Sequence, residues 1–185
     1  MKRKIVFKGL SKKGNKIIVC YPTEDDAQIF CDYINALSKE KTFVRFQGEE
    51  VSLEDETKYL NTQLEKIAKK QTVELLVFCN NKLIGISSID MKDKTESHEG
   101  VFGISVARES RGEGIGRKFM QLVLEEAEKN MPQLRIITLG VFGDNPLAKK
   151  MYEEFGFKEY GKLPKGSLHK EKYVDHIYMY KNVKQ

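Results

Sequence analysis

Residues 100–117 read GVFGISVARESRGEGIGR, and an amphipathic run, KFMQLVLEEAEKN, follows directly. A strand pattern therefore gives way to a helical one through Gly112, Gly114 and Gly116, with Arg111 and Arg117 at the two ends. The first N–H groups of a helix have no partner inside it and lie at the positive end of its dipole. Glycines, lacking Cβ, let an anion come close to those groups, and flanking guanidinium groups add charge-assisted bonds. The junction predicts a cradle for a phosphate or pyrophosphate. The competing reading is a glycine turn kept for tight packing.

The pattern narrows the ligand. A dinucleotide fingerprint, GxGxxG, needs a glycine three past Gly114, where Arg117 stands; the P-loop pattern needs Gly-Lys starting at the same position and fails as well. The order of elements points the same way. KIVFKGL and KIIVC read as two short strands around a lysine–glycine turn. A helix is expected from Thr23 as N-cap, with Phe30, Tyr33, Ile34 and Leu37 on one face, and a second over SLEDETKYLNTQLEKIAKK, capped by Ser52 with Asp55 three residues on. VELLVFCN and NKLIGISSIDMK form a hairpin through Asn80-Asn81, and GVFGISVA is the next strand. The helix after the glycines carries Ile115, Phe119, Leu122, Val123 and Ala127 on one face. LRIITLGVF is a strand, and NPLAKKMYEEF a short helix with Asn145 as N-cap and Pro146 first, stopped by Gly156. GFKEYGKL and KYVDHIYMYK close the chain as strands, with KLPKGSLHKEK as the loop between them. This is a mixed α/β (α+β) pattern without strict βαβ alternation, which argues against a doubly wound dinucleotide fold.

Composition limits the partners. A length of 185 residues suits one domain, 1–185, and the chain shows no internal repeat. The net charge is +5, but the lysines are spread, as on a solvated surface. A polyanion would be attracted; a phosphorylated cofactor fits better than nucleic acid, since neither basic–aromatic interleaving nor a recognition helix is present. Cys20, Cys31 and Cys79 are odd in number and far apart, suggesting buried thiols in a reducing cytoplasm and no zinc or disulfide framework. The basic N-terminus has too short an apolar run for a signal peptide, and no stretch has membrane-spanning length, so a cytoplasmic protein with no membrane partner is expected.

Two motifs then converge. Arg111, Gly114 and Gly116 fit R-x-x-G-x-G, and LGVFGDNPLAKKMYEEFGF places Asn145, Ala148, Tyr152, Gly156 and Phe157 in N-x-x-A-x-x-x-Y-x-x-x-G-F. Both resemble the signatures of the GNAT superfamily of acyl-CoA-dependent N-acetyltransferases, closely from Glu99 to about Gly161 and loosely in the flanking element order. The resemblance implies a central, mostly antiparallel mixed sheet flanked by helices and splayed at its fourth and fifth core strands, GISV and LRIITLGV. It implies acetyl-CoA as co-substrate and no metal.

Its pantetheine arm would lie in the splay along Ile104, Ser105 and Val106 like an added strand. Its pyrophosphate would sit on the amides of Gly112, Glu113, Gly114, Ile115, Gly116 and Arg117, with Arg111 beside them. Asn145 would contact the cofactor, or serve only as helix cap. Tyr152 would be the catalytic acid for the departing thiolate, against a plain packing role; a phenol has an ordinary pKa of about 10 and stays protonated at neutral pH. For the general base the resemblance points to the position of Gly100, so Glu99, His98 and a water chain stay open. The acceptor would be a small-molecule or peptide amine: a small amine, a polyamine, a peptide N-terminus or a lysine. Glu49, Glu50, Glu54, Asp55 and Glu56 could attract it, though a solvated helix start explains them equally. A non-catalytic acyl-CoA sensor or scaffold and a nucleic-acid-binding module are the other readings, and monomer and homodimer both stay open.

Overall fold

The structure, a computed structural model, describes residues 3–183. Twelve elements follow in order: β1 (Ile5–Leu10), β2 (Lys16–Cys20), α1 (Ala27–Lys39), α2 (Leu53–Ala68), β3 (Thr72–Cys79), β4 (Lys82–Met91), β5 (Glu99–Val106), α3 (Ile115–Asn130), β6 (Ile136–Phe142), α4 (Pro146–Glu154), β7 (Lys158–His169) and β8 (Lys172–Asn182). All eight strands join one sheet in the order β1-β2-β3-β4-β5-β6-β8-β7. Every neighbouring pair is antiparallel except β5 with β6.

That parallel pair is short. Only Glu99–Val101 of β5 match Ile136–Thr138 of β6. Beyond Val101 both strands run on without each other, β5 to Val106 and β6 to Phe142. The sheet therefore opens into a V at the splay implied by the two motifs. Alternation along β5 assigns its faces. Ser105 meets Tyr33 of α1, whereas Phe102 packs on Tyr152 of α4 and Val106 lies beside Gly116 of α3. So α1 and α2 cover one face, and α3 and α4 the other.

Local chemistry sets most boundaries. The Ser52 hydroxyl accepts the Asp55 N–H at 3.1 Å, and Asn145 Oδ1 accepts the Ala148 N–H at 3.2 Å, as the cap residues foretell. Asn80 and Asn81 turn the β3–β4 hairpin at φ 47° and 68°. All five residues expected on the apolar face of α3, from Ile115 to Ala127, are buried. Each large one contributes about 1.5–3 kcal/mol of hydrophobic stabilisation.

Two expectations are corrected. The helix foreseen from Thr23 begins as a 3-10 turn over Glu24–Asp26, and α1 proper starts at Ala27. Asp26 is drawn inward, where its carboxylate accepts the Thr23 N–H at 2.7 Å and pairs with Arg3 at 2.5 Å. The loop KLPKGSLHKEK is instead mostly strand: β7 runs through to His169 and turns into β8 at Lys170-Glu171, with φ 48° and 64°. Pro164 is tolerated because β7 is the edge strand and its ladder is interrupted between Leu163 and Ser167.

Candidate active site

The loop after β5 is built for an anion. Gly112 and Gly114 take φ +79° and +77°, a conformation that disfavours any side chain. The first backbone bond of α3 runs from Lys118 N–H to the Gly114 carbonyl. Among the described residues, the amides of Gly112, Glu113, Gly114, Ile115, Gly116 and Arg117 find no acceptor. Such a run of free donors at a helix start is an anion site. The Glu113 side chain turns away from it: Ser11 Oγ donates to the carboxylate at 2.7 Å and Lys13 pairs with it at 3.3 Å, which pins the loop to the β1–β2 hairpin. The Ser11 hydroxyl, with Lys13 and Asn15, holds that carboxyl below its ordinary range.

The two arginines are committed elsewhere. Arg111 donates from Nε to the Val106 carbonyl at 2.7 Å and pairs with Glu40 of α1 at 2.7 Å. Arg117 pairs with Glu154 of α4. The main chain, more than the guanidinium groups, is therefore what the loop presents.

Beside the loop, the V of the sheet leads into a cavity of about 940 Å³. Gly103, Ile104 and Ser105 of β5 face Gly140–Phe142 of β6 across it, and Asn145 and Tyr152 of α4 reach it from the other side. Tyr152 is 8 % exposed, and its hydroxyl makes no hydrogen bond with any described residue. Burial pushes the phenol up to about 12, so it is protonated and free to donate at neutral pH. Asn145 lines the same cavity while capping α4.

The base candidates from the sequence do not converge here. His98 is an exposed loop residue. Glu99 sits where β5 and β6 are still paired, with its carboxylate on Lys92 Nζ and Thr138 Oγ1, each at 2.7 Å. Burial opposes its ionisation, but Lys92 and Thr138 outweigh burial and hold its carboxyl below the ordinary range. Neither residue lines the cavity.

The cavity holds instead residues to which the motifs gave no signal. His176 of β8 shares a 2.7 Å hydrogen bond from Nδ1 with Ser167, and burial lowers its pKa. Its ring fills the space over Gly140, where a Cβ would fall 2.2 Å from Nε2. Tyr33 shares a 2.9 Å hydrogen bond with Ser105, and burial pushes its phenol up. Glu56 of α2 enters the lining from below α1. Among the described residues no three His, Cys, Asp or Glu side chains come together to hold a metal, and no helix is long and apolar enough to cross a membrane.

A splayed parallel strand pair, followed in the chain by a donor-rich helix start, leaves a cleft between β5 and β6 and an anion-binding loop after it. Comparison with known proteins gives the family. Residues 32–157 match the acetyltransferase (GNAT) family, and the chain belongs to it. It is 32 % identical over 117 residues to the L-amino acid N-acetyltransferase AaaT of Escherichia coli (strain K12), a match covering 62 % of this chain and 72 % of that protein. A GNAT-family acetyltransferase from Streptococcus pneumoniae superposes with a TM-score of 0.82 at 24 % identity, over 91 % of this chain and 99 % of the other. The yncA protein of Salmonella typhimurium, solved with its cofactor acetyl-CoA, gives a TM-score of 0.77 at 13 % identity, over 91 % and 95 % of the two chains. The chain is thus an acyl-CoA-dependent N-acyltransferase with acetyl-CoA as its co-substrate.

Proposed function

We propose that this chain, acting as a single N-acetyltransferase domain over residues 1–185, moves the acetyl group of acetyl-CoA onto a primary amine. That class takes in small amines, polyamines, peptide N-termini and lysine side chains, and the amino-acid acceptor in the name of the Escherichia coli relative falls within it. One observation carries the reading: β5 and β6 part after Val101, Tyr152 lines the cavity at that opening, and the free amides of residues 112–117 follow the end of β5 in the chain. The amides hold the pyrophosphate, and Ile104–Val106, paired with β4 on one side and free of β6 on the other, takes the pantetheine arm as an extra strand. The thioester then lies beside Tyr152.

The acceptor must reach it as a neutral amine. As nitrogen attacks the carbonyl carbon, the oxygen gains charge that main-chain donors of β5 stabilise. The C–S bond then breaks, and Tyr152 donates to the departing sulfur. A phenol at about 12 facing a thiolate of ordinary pKa about 8.5 makes outright transfer uphill by about 5 kcal/mol. Tyr152 therefore hydrogen-bonds the sulfur and passes on the proton that the acylated nitrogen sheds. Three unpaired cysteines fit a reducing, cytoplasmic setting.

The test is a thiol-release assay with acetyl-CoA against amino acids, monoamines, polyamines and short peptides. Release of free coenzyme A with at least one amine, strongly reduced in Tyr152→Phe, is the expected result. Tight acetyl-CoA binding without release for any amine would make the chain a sensor and end the enzymatic reading.

A further inference from the structure

Five acidic residues surround the start of α2, and four of them are engaged. Glu49 accepts the Gln47 N–H at 2.5 Å, Glu50 pairs with Lys39 at 2.9 Å, Glu54 pairs with Lys58 at 2.6 Å, and Asp55 accepts the Ser52 hydroxyl at 2.7 Å. Glu56 differs. It is 8 % exposed, lines the cavity, and its carboxylate makes no hydrogen bond or ion pair with any described residue. Its carboxylate opens on the cavity, partly withdrawn from bulk water and with no cation beside it, and a cationic ligand there gains the missing partner.

Its surroundings describe the ligand. Phe30, Leu37, Phe43, Phe46 and Tyr59 make much of the cavity's wall apolar and aromatic. Glu56 is the cavity's one carboxylate among the described residues, and the other permanently charged lining residue, Arg45, is exposed. A polyamine would need several anions; a single ammonium on an apolar body needs this one.

Resting on the acetyl-transfer reading, the geometry points to Glu56 as the residue that receives the acceptor's ammonium and removes its proton, the acceptor being a monoamine carried on an apolar body. The ammonium gives one proton to the Glu56 carboxylate. The neutral nitrogen attacks the thioester carbon, the C–S bond breaks, and the proton shed by the acylated nitrogen reaches sulfur through Tyr152. Glu56 then releases its proton to solvent. Burial pushes the Glu56 carboxyl up, which strengthens it as a base. The titratable and charged groups around it are Cys31 and Tyr33 of α1, Tyr59 of α2, Glu74 of β3, His176 of β8 and Arg45.

The experiment compares wild type, Glu56→Gln, Glu56→Asp and Glu54→Gln. It reads thiol release with 2-phenylethylamine and with spermidine, and calorimetric binding of 2-phenylethylamine to the coenzyme A complex. Glu56→Gln is expected to weaken 2-phenylethylamine binding about 10- to 100-fold, the range for a hydrogen bond to a charge. It also removes the acid limb of the kcat/KM profile and leaves acetyl-CoA affinity unchanged. Glu56→Asp restores part of the loss, and Glu54→Gln behaves as wild type. Unchanged amine binding and turnover in Glu56→Gln would overturn the assignment while leaving acetyl transfer standing. Glu56-dependent amine binding without thiol release from any variant would keep Glu56 as the ammonium site and overturn the transfer reading. Wild type that acetylates spermidine but ignores 2-phenylethylamine would overturn the apolar acceptor.

Discussion

Glu74 lies in the middle of β3, 0 % exposed, beside Tyr59, Glu56 and Lys66 of α2 and Asp90 of β4. The Tyr59 hydroxyl donates to its Oε2 at 2.7 Å, and Oε1 has no partner. Burial is the dominant influence, and Asp90 and Glu56 add repulsion against the relief from Tyr59 and Lys66; together they push the carboxyl from its ordinary 4.5 up to about 8. Over that window the folded chain holds a proton that the unfolded chain has released, so stability falls as pH rises from about 4.5 to about 8. Each pH unit inside the window removes about 1.4 kcal/mol. Glu74→Gln removes this titration while keeping an oxygen for Tyr59. The new amide also needs an acceptor, and Gln63 Oε1 is a buried oxygen without a partner. Urea unfolding of both proteins at pH 5.5 and 7.5 isolates the effect, because titrating groups remote from Glu74 cancel in the difference. The variant is expected to gain about 2.7 kcal/mol on wild type between the two pH values, a large share of a typical folding stability of about 5–15 kcal/mol. A constant difference across that range would show that Glu74 is ionised in the fold and refute the reasoning.

Two further substitutions probe α4. Tyr152→Phe is expected to lower kcat by about one to three orders of magnitude, the range of general-acid effects, with acetyl-CoA affinity unchanged by calorimetry. Asn145→Ala removes the cap on α4 and is expected to cost about 1 kcal/mol in urea unfolding. A concurrent loss of acetyl-CoA affinity of about three- to tenfold marks the side chain as a cofactor contact as well as a cap.

The parts of this molecule that follow local rules could be read from the sequence. Ser52, Asn145 and Asn80-Asn81 act through their own main chain, and the spacing of Ile115, Phe119 and Val123 fixes a buried face whatever it packs on. The glycines of the loop belong with these, since positive φ at Gly112 and Gly114 is a backbone property. What escaped the sequence depends on partners distant in the chain. Lys170-Glu171 carries no turn signal, and its hairpin forms because β7 and β8 pair along their length. Arg111 and Arg117 read as free cations until Glu40 and Glu154 are folded beside them. Glu56 looks like its four acidic neighbours in sequence, and only the packing of α2 in the fold turns it inward. The sequence did hold one unused hint: on the helix, Glu56 shares the face of Leu60 and Gln63, both buried, whereas Glu54 and Asp55 fall on the outer face.

The central claim is that the bare amides at the start of α3 grip a coenzyme's diphosphate. Calorimetric titration of acetyl-CoA into wild type and into Gly114→Glu tests it most directly, with the variant's cooperative thermal unfolding checked alongside. The substitution places a carboxylate, and a side chain at φ +77°, within the loop. Saturable one-to-one binding to wild type, abolished in a variant that still unfolds cooperatively, is the predicted result. Equal affinity for both proteins would contradict the account.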